Sequence, residues 1–199
     1  MTVPSLEEAE RLLAWAGNEN PGPWTEHSRV VAEAARTIAD ACELDGDKAF
    51  VLGLLHDIGR YRGVTDLRHV HDGYILLRER GYDDAAQICL THSFPSRAME
   101  EYSGRNDCAP DDFRELCKAL GDCIYTDYDL LIQLCDSIGL VSGVCLMEKR
   151  LVDVARRHGA NAFMLRKWER LFVILEYFNA LAGKKVYGLF PDIVVNTFA

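Results

Sequence analysis

The sequence predicts an all-α fold, and three observations support this. Apolar residues recur at helical spacing along most of the 199 residues. Capping residues precede many of these segments, and almost no stretch alternates between apolar and polar residues as a strand does. The weak exception is "KKVYGLF" at 184–190, a candidate strand. No Pro-, Gly- or Ser-rich stretch divides the chain, so we expect a single domain over residues 1–199.

Three helices are predicted in the first third of the chain. The capping box "SLEE" begins at Ser5, and the helix that follows it closes at Gly17. Apolar spacing predicts a second helix over about 25–44. Asp47 is expected to cap a third, which carries "FVLGLLHDIG" and stops at Gly59.

Six further helices are predicted beyond these. Asp66 can cap a helix that ends before Gly81, and Asp83 can cap another that reaches His92. Residues 93–110 show no period and are predicted to form a long loop, which in a compact domain usually has a functional role. The remaining helices are predicted near residues 111–120, 127–141, 147–158 and 161–182.

Composition restricts the possible functions. The formal net charge is −9, with 31 acidic against 22 basic residues, which disfavours binding to polymeric nucleic acid. The N-terminus lacks the basic residues of a signal peptide and no apolar run is long enough to span a membrane, so we expect a cytoplasmic protein. The seven cysteines are odd in number and form no CxxC pair, so most are expected to fill the core.

Polar residues interrupt the apolar faces of several predicted helices. His56 and Asp57 end the apolar segment "FVLGLL", while His71 and His92 lie one helical turn from apolar residues. Asp136 lies within "LLIQLCDSIGLV", which contains no basic residue. Since a buried carboxylate is normally paired or bound to a metal, these positions are candidate metal ligands.

Taken together, these residues and His27 are a set of metal-ligand types. The mixture of imidazole and carboxylate suits iron, manganese, zinc, cobalt or nickel. Six ligands exceed what one catalytic metal with an open position can use, so we expect two metal ions, iron first and manganese, cobalt, nickel, zinc or magnesium as alternatives. Asp57, with two oxygens, is the natural bridge between them. The candidate ligands are His27, His56, Asp57, His71, His92 and Asp136.

Three other polar residues are left out of this set of candidate ligands. His69 is expected on another face of the helix that carries His71, at the surface. Asp72 is expected to be solvated. His158 precedes Gly159 in a basic last helical turn, where a cation meets the helix dipole.

The order H…HD…H…H…D resembles the HD-domain superfamily of metal-dependent phosphohydrolases. "HDIGR" is similar to the HD helix of that family, "HDGYILLRERGY" to its fourth helix, and "LCDSIG" to the helix that supplies its last aspartate. The resemblance runs from about residue 20 to at least residue 142 and implies a helical bundle around a metal site, on which helices of residues 143–199 pack.

The resemblance also implies how the ligands divide between the two metals. His27, His56, Asp57 and Asp136 would hold one ion, and His71 with His92 would hold a second that shares Asp57. The chain departs from the cyclic dinucleotide phosphodiesterases of the superfamily, because no "GYP" follows, position 92 has no His-His pair, and Arg60 replaces the lysine common there.

These expectations define a mechanism and its alternatives. A water between two cations would be deprotonated near neutral pH and could attack phosphorus in line. Cationic side chains must then hold the phosphate or the leaving group, and the candidates are Arg60 and Arg62 first, then Arg97 and Lys149 or Arg150. Asp57 and Arg60 are thus the predicted catalytic residues.

Three function classes remain open. The first is hydrolysis of a phosphomonoester, phosphodiester or phosphoanhydride in a nucleotide-like or other small phosphorylated molecule. The second is an HD-fold mixed-valent diiron oxygenase, and the third is a regulatory or binding protein with a structural metal. No membrane partner is expected, and a homo-oligomer is compatible with the sequence.

Overall fold

Ten α-helices account for most of residues 3–198, the part of the chain that the computed structural model describes. The all-α prediction is therefore confirmed. The helices are α1 (Leu6–Glu19), α2 (Trp24–Ala41), α3 (Gly46–Leu55), α4 (Arg68–Glu79), α5 (Asp83–Thr91), α6 (Pro110–Asp122), α7 (Asp127–Ile138), α8 (Met147–His158), α9 (Met164–Leu181) and α10 (Ile193–Phe198). Short 3-10 helices span Ile58–Arg62, Met99–Glu101 and Val186–Leu189.

Capping explains where the first helices begin. Ser5 caps α1 as predicted, because its side chain accepts a hydrogen bond from the backbone N–H of Glu8. The cap of α3 is Asp45 rather than Asp47, since the Asp45 side chain accepts from the backbone N–H of Lys48 at 2.9 Å. Asp47 lies in the first turn, where it pairs with Arg36 at 3.0 Å.

The third helix also ends earlier than predicted. It stops at Leu55 instead of Gly59, and a 3-10 helix continues the chain from Ile58. His56 and Asp57 therefore stand between two helical segments. Consecutive side chains on a regular α-helix point about 100° apart. At this junction the backbone of Asp57 leaves the helical conformation, which lets both side chains turn toward one centre.

Helix α4 receives its cap from a distant carboxylate, not from Asp66. The side chain of Asp107 accepts from the backbone N–H of Asp66 at 2.8 Å and from that of Arg68 at 2.7 Å. Asp83 is not the cap of α5 either. It lies in the first turn of that helix, and Tyr82 occupies the capping position. Capping by a residue about 40 positions away leaves no local sequence signal.

The candidate strand at 184–190 is also wrong. Val186–Leu189 forms a 3-10 helix, and the backbone N–H of Val186 donates to Asn179 Oδ1 at 2.6 Å. Within the described chain the one sheet is instead a short antiparallel pair, β1 (Gly139–Leu140) with β2 (Gly143–Val144). It turns the chain directly after α7, and Arg150 on α8 comes within 3.7 Å of Asp136 on α7.

Two glycines allow the close helix contacts that position the site. A Cβ on Gly53 would lie 2.7 Å from Ala32 Cα, so α3 crosses α2 at backbone contact. A Cβ on Gly59 would overlap the carbonyl oxygen of His69 and the amide nitrogen of Gly73. The 3-10 helix after Asp57 is thereby pressed against α4.

The main apolar core includes residues from Ala9 to Ile193, so side chains of α8 and α9 are part of it. A smaller cluster holds α6 against α4 and α5 through Leu116 and Leu120. All seven cysteines are free, and four of them are buried, as expected of core residues. A single domain over residues 1–199 stays a prediction. Over residues 3–198, no helix combines the length and apolar content needed to cross a bilayer.

Candidate metal centre

Six polar side chains from separate parts of the chain converge inside the bundle. Five of them are almost fully buried, and the sixth, Asp136, keeps about a quarter of its side chain exposed (26%). They come from α2, the junction after α3, α4, the end of α5, and α7. The residues are His27, His56, Asp57, His69, His92 and Asp136.

Asp57 lies at the middle of this cluster. Its Oδ1 atom is 3.1 Å from His69 Nε2 and 3.7 Å from His92 Nε2. Its Oδ2 atom is 3.9 Å from His56 Nε2 and accepts a hydrogen bond from Arg60 Nε at 2.6 Å. The carboxylate thus has nitrogen atoms of imidazoles on two sides.

Two groups of possible metal ligands share this carboxylate. One consists of His27, His56 and Asp57, and the other of Asp57, His69 and His92; in each group the ligand atoms lie within 4.8 Å of one another. Asp136 extends the first group, since its Oδ1 is 3.0 Å from His27 Nε2. Asp57 therefore belongs to both groups of possible ligands.

Backbone carbonyls fix the orientation of three of the imidazoles. His56 Nδ1 lies 2.7 Å from the carbonyl oxygen of Gly53, and His92 Nδ1 lies 2.9 Å from that of Cys89. His69 Nδ1 contacts the carbonyl oxygen of Asp66 in the same way. Because a carbonyl only accepts, each Nδ1 is the donor in these contacts, and the Nε2 atom of each ring faces the cluster. A histidine that binds metal through Nε2 has this orientation.

Unpartnered atoms at the centre support the same conclusion. His56 Nε2 and Asp57 Oδ1 are buried and lack a hydrogen-bond partner within the described chain. His69 Nε2 and His92 Nε2 approach to 3.5 Å, and a hydrogen bond between them would need one of these two nitrogens to carry a proton. Leaving such groups unsatisfied costs free energy, whereas a cation would use every one of these lone pairs. The nitrogen and oxygen donors fit a transition metal better than calcium or magnesium.

The electrostatics of the site favour the ligand forms of these groups at neutral pH. Burial lowers the pKa of His92 to about 3 and also lowers the pKa of His27, so both rings are neutral. Burial alone would raise the pKa of Asp57, but Arg60, His69 and His56 together hold it well below its usual range. The pKa of Asp136 is lowered in the same way, against the effect of burial, chiefly by His27.

The structure corrects one predicted ligand. His71 lies on α4 away from the cluster, with its Nε2 3.4 Å from Glu115 Oε2, and His69 occupies the expected position instead. His69 is only 2% exposed, so the expectation that it lies at the surface is wrong. The sequence signal for His69 is Gly73, which lies four residues later on the same face of α4. This is the face that packs against Gly59.

Asp72 is corrected as well. We expected a solvated residue, yet it is only 7% exposed and lies near two guanidinium groups, 3.6 Å from Arg62 Nε and 3.3 Å from Arg68 Nε. Burial raises the pKa of Asp72, although both arginines oppose this effect. Its partners are structural ones, and it is not part of the metal-ligand groups.

The structure places few of the predicted substrate-binding residues at the cluster. Arg60 is there, bound to Asp57. Arg62 instead faces Asp72, Arg97 stacks on the Tyr125 ring at 4.5 Å, and Lys149 is exposed. Arg150, the neighbour of Lys149, is near the cluster, with its Nη2 atom 3.7 Å from Asp136 Oδ1.

Sequence reasoning missed two further residues near the centre. The Tyr102 ring lies 6.4 Å from that of His69, and burial raises its pKa, which keeps the phenol neutral. Lys167 on α9 donates from Nζ to the carbonyl oxygen of Ser93, next to His92, at 2.9 Å. Neither position carries a local signal, because both reach the site through tertiary packing of distant segments.

Comparison with known protein families gives a match. A family model described as HD domain matches residues 24–138. That range contains all six residues of the cluster, whereas Arg150 and Lys167 lie outside it. No curated protein and no solved structure matches the chain significantly.

Proposed function

The chain belongs to the HD-domain family, whose superfamily consists mostly of metal-dependent hydrolases, and from this premise we propose that it is a metal-dependent phosphohydrolase. Its substrate would be a nucleotide-like or other small phosphorylated molecule, cleaved at a phosphomonoester, phosphodiester or phosphoanhydride bond. The observation that carries this proposal is the pair of buried ligand groups that share Asp57.

The donor set supports the expectation of two cations. Two ionised carboxylates and neutral imidazoles would leave two divalent ions with excess positive charge, which a phosphate can neutralise. When bound, such ions supply Lewis acidity that activates water and stabilises the charge that develops on a phosphoryl group. Iron is the ion we expect first, with manganese, cobalt, nickel, zinc or magnesium as alternatives.

The chain's own residues would orient this chemistry. Arg60 holds Asp57 Oδ2 through its Nε atom at 2.6 Å, which fixes the carboxylate plane and directs Oδ1 toward His69 and His92. Asp57 raises the pKa of Arg60 against the opposing effect of burial, so the guanidinium stays charged. Its remaining N–H groups are donors available to a phosphate oxygen at the centre.

The surface charge favours a small substrate over a polymer. A net charge of −9 repels a polyanion, and a polymer would need an extended basic surface. The partly exposed Asp136 side chain marks the side from which a small molecule would enter, because the other ligands are almost fully buried. The partner we propose is therefore a small phosphorylated molecule.

The test is an activity panel on protein of known metal content. Purified protein is loaded separately with Fe(II), Mn(II) or Co(II) and incubated without oxygen with nucleotides, sugar phosphates and a generic aryl phosphate ester. We expect release of phosphate or of the alcohol product from at least one of these compounds.

Two results would contradict the proposal. Oxygen uptake that depends on iron, with no anaerobic turnover, would identify the diiron oxygenase that the sequence left open. A fully metal-loaded protein that leaves the whole panel intact would favour the regulatory or binding alternative.

A further inference from the structure

Two cationic residues beside the metal centre lie outside the residues that match the HD-domain model, and both lack a close anionic partner. Arg150 on α8 and Lys167 on α9 reach the Asp136 side of the centre from the C-terminal helices. Burial lowers the pKa of Lys167, Asp136 and Glu101 raise it, and Arg150 lowers it further, so these four charges interact.

Arg150 lacks partners that match its charge. Only 17% of its side chain is exposed, yet its guanidinium makes no hydrogen bond within residues 3–198, and its Nε atom is buried without a partner. The nearest carboxylate oxygens are at 3.7 Å on Asp136 and 3.9 Å on Asp153. Both already have closer partners, His27 at 3.0 Å and Arg157 at 3.0 Å respectively.

Lys167 also lacks an anionic partner. Its ammonium donates to two neutral acceptors, the carbonyl oxygens of Ser93 at 2.9 Å and of Glu101 at 3.4 Å. An ammonium has three N–H donors, so at least one remains, and no carboxylate lies within ion-pair distance of it in the described chain. Keeping a cation in such surroundings is costly unless an anion compensates for it.

The sequence around these residues has a charge opposite to that of the whole chain. Residues 147–170 contain seven Lys or Arg and three Asp or Glu, while the chain as a whole has a net charge of −9. Arg150 and Lys167 bring this positive segment next to the centre, and its charge would attract a small anion. Asn161 also ties it to the loop after α5, through the carbonyl oxygens of Glu100 and Tyr102.

From these observations we propose that Arg150 and Lys167 form a subsite for a second anionic group of the substrate, next to the metal centre on the Asp136 side. The substrate class would then be a small molecule that carries the scissile phosphate and a second phosphate or a carboxylate close to it. This inference rests on the proposed function, because it assumes that the first phosphate binds at the metal centre.

The test compares a dianionic probe with a single-headed one on metal-loaded protein. Binding of methylphosphonate and of methylenediphosphonate is measured by calorimetry for the wild type, Arg150→Gln and Lys167→Gln, with Lys149→Gln as the exposed neighbouring control. Chelation of the metal by the diphosphonate in solution is the same for every variant, so differences among variants report the protein's contribution.

We expect the wild type and Lys149→Gln to prefer the diphosphonate. Each subsite variant should lose that preference by about tenfold and leave methylphosphonate binding within about twofold, since a charged hydrogen bond is lost only for the second group. Metal content and melting temperature are recorded for every variant. If Lys167→Gln does not fold, Arg150→Gln decides the question, and Lys167→Arg should keep the preference.

The failures of the two proposals can be distinguished. If both probes bind but Arg150→Gln retains the wild-type preference, the subsite is refuted and the hydrolase proposal stands. If neither probe binds the metal-loaded wild type, the phosphohydrolase proposal fails and the subsite fails with it.

Discussion

Replacing Gly59 by alanine tests how the fold assembles the centre. The new methyl group would overlap two backbone atoms of α4, the carbonyl oxygen of His69 and the amide nitrogen of Gly73. Backbone atoms within a helix cannot rotate away as a side chain can. The 3-10 helix that follows Asp57 and the whole of α4 would therefore have to separate.

The size of the effect follows from that overlap. Forcing an extra carbon into a well-packed interior costs about 1–3 kcal/mol. For a chain of this length each kcal/mol lowers the melting temperature by about 2–4 °C, so we expect a decrease of about 2–12 °C. Metal binding should weaken in parallel, because His69 Nε2 and Asp57 Oδ1, now 3.1 Å apart, would move away from each other, whereas metal ligands tolerate only about 0.2 Å.

The assay is thermal unfolding followed by circular dichroism, with metal content measured on the same samples. Gly121→Ala is the matched control, because a Cβ there meets nothing within 4 Å and the residue lies in α6. Because alanine has a higher helix propensity than glycine, Gly121→Ala should leave the free energy of unfolding unchanged or raise it by up to about 1 kcal/mol. A Gly59→Ala protein with the wild-type melting temperature and metal content would refute the reasoning.

Two further predictions concern stability. In metal-free protein the pKa of His92 is about 3, below the value of about 6.5 in the unfolded chain, so the unfolded state binds more protons as the pH falls from 7 to 5. Unfolding in urea should therefore show a loss of about 2 kcal/mol over that range that His92→Gln lacks, and equal losses in both proteins would contradict the assignment. Asp129 accepts hydrogen bonds from Thr91, Gln87 and Thr126 and joins α7 to α5. We expect Asp129→Ala to lower the free energy of unfolding by about 3 kcal/mol and the exposed Asp122→Ala by less than about 0.5 kcal/mol, and equal effects would show that this network contributes nothing.

Several correct predictions rested on local signals. Apolar periodicity located the helices, and Ser5 marked the start of the first one, because its cap is made by a residue three positions away. Asp136 was recognisable as a candidate because a carboxylate on an apolar face needs a partner. The His56-Asp57 pair was recognisable for the same reason.

Several predictions failed because the deciding contact joins distant segments. The choice between His69 and His71 depends on which face of α4 meets Gly59, and neighbouring polar residues alone do not show that. The caps of α4 depend on Asp107, which is folded back from the long loop. Lys167 reaches the carbonyl oxygen of Ser93 from a helix more than 70 residues later, so no spacing rule points to it.

The central proposal is that two metal ions share Asp57 and that His69 is a ligand of one of them. It is tested most directly by elemental analysis of wild-type, His69→Ala and His71→Ala protein, each reconstituted with the same metal and freed of loosely bound ions. The account predicts two ions per chain for the wild type and for His71→Ala, and one for His69→Ala. A wild-type chain that retains fewer than two ions, or a His71→Ala chain that loses an ion while His69→Ala keeps both, would contradict it.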